Sequence, residues 1–114
     1  MSNGVRVRFE PLRSALFSSI TTSYTPIGSG FSNPNRLLKV TNLTDGNLLI
    51  SFDGVNDHDI VAASGFFLYD FCSNKSSTSG LLEQPLGTVV YVKSTGSAPT
   101  QGSVYVTVIY ASQN

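Results

Sequence analysis

The run NRLLKVTNLTDGNLLISFDGVNDHDIVAASGFFLYDF, residues 35–71, decides the fold. It holds four apolar runs separated by turn residues, and none sustains the three- and four-residue apolar spacing of a helix. In residues 36–42, Leu38 and Val40 point one way while Leu37, Lys39 and Thr41 point the other, the period of two of a strand. In residues 47–53, Leu48, Ile50 and Phe52 share one face, and Leu49, Ser51 and Asp53 share the opposite one. Between them lies Leu43-Thr44-Asp45-Gly46-Asn47. Asp-Gly readily supplies the backbone angles of a tight turn, so the two runs are expected to pair as an antiparallel hairpin.

After Phe52 the chain enters Asp53-Gly54-Val55-Asn56-Asp57-His58-Asp59, which holds three of the seven acids and the single histidine. It returns to strand at Ile60-Val61-Ala62, turns at Ala63-Ser64-Gly65, and runs on through Phe66-Phe67-Leu68-Tyr69-Asp70-Phe71. That last run carries large groups on both faces, so each face needs a cover: a second sheet, a partner subunit or an arm.

Outward from this centre the pattern repeats. Val5, Val7 and Phe9 alternate with Arg6, Arg8 and Glu10, which reads as a half-buried strand ended by Pro11. Residues 16–25 favour β-structure, and Pro26 and Pro34 bound an irregular connection. The first 25 residues are therefore expected to be an arm that packs on the body or on a neighbour. Residues 73–80 read as a polar surface loop, and Leu81-Leu82-Glu83-Gln84-Pro85-Leu86 as a short turn or extended piece. Thr88–Lys93 and Ser103–Ala111 are β-rich and joined by a Gly/Pro loop, which predicts a second hairpin. About seven or eight strands with closely spaced turns predict an all-β domain. The expected form is a single small antiparallel β-sandwich or jelly-roll-like barrel, with residues 1–34 as strand, arm and connection and 35–114 as the body.

The 114 residues suffice for one domain with a real core. Seven basic and seven acidic side chains cancel, and charged residues make up 12% of the chain, about half the usual share. Nucleic-acid binding, which needs a concentrated basic surface, is not expected. Nor is a membrane span, because no apolar run approaches the roughly 20 residues required. Met1-Ser2-Asn3-Gly4 leads into alternating residues rather than an apolar leader. A lone cysteine, Cys72, excludes an internal disulfide and reads as a small residue at a strand end. Asn42-Leu43-Thr44 and Asn74-Lys75-Ser76 match the glycosylation sequon, which a cytosolic chain does not use.

Candidate chemistry concentrates in the acid loop. Asp53, Asn56, Asp57 and Asp59 offer oxygen ligands for a cation such as Ca²⁺, but their spacing is not that of an EF-hand loop. Asx residues are also the commonest turn formers, and turn chemistry is the stronger reading. His58 lies beside Asp57 and Asp59, yet nothing resembles a nucleophile elbow to complete a hydrolytic triad. Gly28-Ser29-Gly30 lacks the continuation of a phosphate loop. No enzyme, metal or cofactor is expected. The five tyrosines leave a carbohydrate- or receptor-binding β-module as the alternative.

RLLKVTN and NLLISFDG within residues 36–54, GTVVYVK at 87–93 and GSVYV at 102–106 resemble the strands of small structural proteins encoded among the virion genes of tailed bacteriophages. The resemblance covers residues 35–111 and leaves the N-terminal third unmatched. It implies a β-sandwich subunit of the neck, collar, head-completion or capsid-accessory type, with no catalytic residues. Its partners would be further copies of itself and a portal, connector or major capsid protein. Its place would be the virion, assembled in the bacterial cytoplasm, where thiols stay reduced. Function would then lie in subunit interfaces, for which Phe66, Phe67, Tyr69, Phe71, Phe17 and Tyr24 are the candidate residues.

Overall fold

The computed structural model describes residues 6–71 and 84–112. Val5, Cys72, the polar loop at 73–80, the sequon at Asn74 and Leu81-Leu82-Glu83 lie outside the described residues. The strands are β1 Arg6–Phe9, β2 Arg13–Leu16, β3 Thr25–Pro26, β4 Asn35–Asn42, β5 Leu48–Ser51, β6 Asp59–Val61, β7 Phe66–Asp70, β8 Tyr91–Ser94 and β9 Ser103–Ser112. They form two antiparallel sheets. Sheet A runs β1-β9-β4-β7, with β2 following β1 along the same edge of β9, and sheet B runs β3-β8-β5-β6. Every connection crosses between the sheets except β5–β6, which with β1 and β2 taken together is the strand order of a jelly roll. Among the described residues the only helical element is a single 3-10 turn at Phe17–Ser19, and no helix is long and apolar enough to cross a membrane.

The alternation along the strands fixes which side chains meet between the sheets. Leu38, Val40, Val104, Val106 and Val108 from sheet A face Leu48, Ile50, Val90 and Val92 from sheet B's side, all at most 1% exposed. Ile20, Ile27 and Phe31 close the core from the connections. Burial of such side chains contributes roughly 1.5–3 kcal/mol each.

Neither expected hairpin forms. β4 pairs with β7 and β9, whereas β5 pairs with β6 and β8, so Leu43–Asn47 carries the chain across the sandwich. β8 and β9 likewise belong to different sheets. Alternation marks the buried face of a strand, and both a hairpin and a crossing connection satisfy it. The loop ends settle the matter. Asp45 accepts from the Thr100 N–H at 2.7 Å and from the Thr100 hydroxyl, tying the two crossing loops to each other. Asn42, fully buried, donates through Nδ2 to the carbonyls of Gly46, Val61 and Ala62 and accepts at Oδ1 from the Thr44 N–H and hydroxyl. One amide thus holds the β4–β5 loop to the start of the β6–β7 connection.

The first 26 residues, where described, belong to the body. β1 and β2 pair with β9, and β3 pairs with β8. Phe9 lies opposite Ile109 and Arg13 opposite Val106, four steps against three, so Pro11 and Leu12 form a bulge in one edge strand. The expected half-burial of β1 is overturned: Val7 is 69% and Phe9 65% exposed. Their register partners, Ala111 and Ile109, are on the outer face of β9, and residues directly opposite share a face.

Candidate interaction surfaces

The acid loop is the turn of the true hairpin, β5–β6, in which Leu48, Leu49 and Ile50 pair with Val61, Ile60 and Asp59. Asp53 folds it locally. Its Oδ1 accepts from the N–H groups of Val55 and Asn56, both at 2.8 Å, and from the Ser51 hydroxyl, while Oδ2 accepts from Asn56 Nδ2. These donors, led by the two backbone N–H groups, hold the Asp53 carboxyl far below the usual carboxylate range. Asp57 accepts from the Tyr24 hydroxyl and lies 3.5 Å from Lys93 Nζ. The Tyr24 hydroxyl first, then the Lys93 and His58 charges, lower Asp57. Burial and the same hydrogen bond push Tyr24 well above its ordinary value. Asp59 accepts from Tyr69 across the gap between β6 and β7. His58 stacks on Phe52 at 5.8 Å, and its Nδ1 accepts the Phe52 N–H at 2.9 Å.

The four oxygen-bearing candidates therefore point to separate partners. Asp53 and Asn56 cap the loop, Asp57 reaches β3's approach and β8, and Asp59 reaches β7. Among the described residues, no group of three or more His, Cys, Asp or Glu side chains converges.

A buried ion pair escaped the sequence reading. Glu10 and Arg13 are 6% and 8% exposed, with Nη2 donating to Oε1 at 2.8 Å. Three residues apart in a regular strand, they would face opposite ways; the bulge at Pro11 and Leu12 turns both inward. Glu10 also accepts from the N–H groups of Ser32 and Asn33, and Arg13 donates to the carbonyls of Ser29 and Gly30. Burial works to raise Glu10, but bonds from Arg13, Ser32 and Asn33 outweigh it and leave its carboxyl below the ordinary value. The pair fastens the β3–β4 connection to the edge strand and is spent on structure.

What remains open is the outer face of sheet A. Ladder register places Phe9, Ile109 and Leu37 in one row, and Tyr105, Thr41 and Phe66 in another, with Leu68 opposite Lys39 between them. Val7 and Leu16 extend the face along the β1–β2 edge. Phe66 is 64% and Leu68 51% exposed, and Leu16 is similarly open. Lys39 Nζ lies 5.4 Å above the Phe66 ring, a cation over an aromatic face.

The six aromatic candidates divide. Phe66 is on this outer face. Phe67, Tyr69 and Phe71 pack against the core, with Phe67 and Tyr69 ring centres 4.8 Å apart. Phe17 is half-buried in the 3-10 turn, and Tyr24 lies under Lys93 Nζ at 4.6 Å on sheet B's side. The inner face of β7 is thus covered by its own sandwich. On the same outer face, Val7, Phe9 and Leu16, which were not among the interface candidates, are exposed beside Phe66 and Leu68. No protein-family model, curated protein or solved structure matches the chain.

Proposed function

We propose that the chain is a non-enzymatic structural subunit of a tailed-phage virion. It works through subunit interfaces, as a neck or collar protein at the head–tail junction or as a capsid-accessory protein. The observation that supports this reading is the outer face of sheet A, where Val7, Phe9, Leu16, Phe66 and Leu68 are each more than half exposed. Apolar side chains exposed together on one face are the kind of surface that a partner covers, which supports this reading. The jelly roll serves capsid and lectin domains alike, so the fold by itself does not choose between assembly and sugar binding. Two of the tyrosines are engaged within the domain rather than offered as a stacking platform: the Tyr24 hydroxyl is bound to Asp57 beneath Lys93, and the Tyr91 ring lies against Gly54.

The test is the composition of particles. Tailed particles produced from the genome that encodes the chain, banded repeatedly on density gradients, should retain it at a constant ratio to the major capsid protein by quantitative mass spectrometry. A chain left in the soluble fraction, or one whose ratio falls with each banding, would refute the proposal.

A further inference from the structure

Among the described residues two lysines stand over aromatic rings, and they differ in what neutralises them. Lys93 Nζ lies 4.6 Å from the Tyr24 ring centre and 3.5 Å from Asp57, so that cation is matched within the chain. Lys39 Nζ lies 5.4 Å from the Phe66 ring centre, and no carboxylate of the described residues comes within ion-pair distance of it. Lys39 is exposed on the outer face of sheet A. Thr107 and Leu68 flank it across the ladder, and Leu37 and Thr41 follow on its own strand. Asp70, the acid that shares this face, already has a partner of its own.

The position of Lys39 matters because β4 is an interior strand, between β9 and β7. The row of Phe9, Ile109 and Leu37 lies on one side of it and the row of Tyr105, Thr41 and Phe66 on the other. A partner broad enough to cover both rows also covers Lys39. An ammonium taken out of water with no opposite charge is strongly disfavoured, so such a partner must bring an anion to that spot. A second copy laid on this face about a two-fold axis through its centre would instead bring Lys39 against Lys39.

We propose that the outer face of sheet A docks a different protein, whose apolar surface carries an Asp or Glu side chain opposite Lys39. The apolar rows then supply the area, while Lys39 sets the register and rejects surfaces that lack the acid. The inference rests on the reading of this face as the interface used in the particle.

The test is the copy number of single variants in gradient-purified particles, with the wild type measured alongside. Lys39 is exposed, so K39R, K39M and K39E should melt close to the wild type. K39R keeps the charge and should be incorporated at the wild-type ratio. K39M leaves the partner's acid covered and unpaired, and K39E sets two anions against each other. Incorporation of both should fall by about tenfold or more. Folded K39M or K39E present at the wild-type ratio would overturn the proposal, because the face would then be covered without an acid opposite Lys39. A wild-type dimer in sedimentation equilibrium that F66E disperses would put a second copy on the face and overturn it as well. Particles that lack the wild type refute the virion reading and this inference with it, whereas particles that hold wild type and K39E alike refute this inference alone.

Discussion

Gly102→Ala is expected to destabilise the domain by more than about 4 kcal/mol, whereas Gly87→Ala costs only about 1–2 kcal/mol. The two glycines share the same positive φ, +88° and +87°, which an alanine adopts only under strain. They differ in what a side chain would meet. A Cβ on Gly87 has nothing within 4 Å, while one on Gly102 would lie 2.0 Å from the Leu43 carbonyl oxygen and 2.9 Å from its carbon. That carbonyl cannot swing aside cheaply, because the Leu43 N–H is bonded to the Ser103 carbonyl at 2.9 Å and the Gly102 carbonyl accepts from Phe17. The difference between the variants in urea denaturation isolates the clash from the backbone strain common to both. Equal losses would mean that the crossing loops do not pack as described.

Asn42→Asp is expected to cost on the order of 3–5 kcal/mol near neutral pH, a loss close to the whole stability of many small domains. The substitution preserves shape and removes the donor. Nδ2 now gives hydrogens to carbonyl oxygens at 2.8, 3.2 and 3.1 Å; a carboxylate oxygen would meet the same three oxygens with no proton and a negative charge. Oδ1 would keep its bonds from Thr44, so the deficit belongs to the donor side. A protonated carboxyl restores one donor, so the deficit should shrink as pH falls. Denaturation curves of wild type and variant at neutral and acid pH measure both effects. A loss below about 1 kcal/mol would show that the amide does not hold the loops together.

The sequence made the faces legible but not the partners. Leu38 and Val40, Leu48 and Ile50, and Val104, Val106 and Val108 alternate as strands and do point inward. Which strand pairs with which is set by where the connections go. Leu43–Asn47 is long enough to span the separation of about 10 Å between packed sheets, so alternation fits both a hairpin and a crossing. Asp45-Gly46 also misled, because neither residue adopts a positive φ and the carboxylate instead reaches Thr100, far along the chain. Val7 and Phe9 show the same limit from the other side: their alternation announces an apolar face, and only the ladder with β9 shows that it looks outward. The Asp53 loop was readable because its bonds are local, within three residues. The Glu10–Arg13 pair was not, because its geometry depends on a bulge.

The outer face of sheet A carries the proposed function, and substituting it tests that claim most directly. Phe9 and Phe66 are about two-thirds exposed, so Phe9→Lys combined with Phe66→Glu should change stability by less than about 1 kcal/mol. The measurement is the amount of this double variant in gradient-purified particles when it replaces the native chain in the encoding genome. The expected result is a folded variant recovered from the soluble fraction and particles that lack it. Incorporation at the native copy number would contradict a working surface on that face.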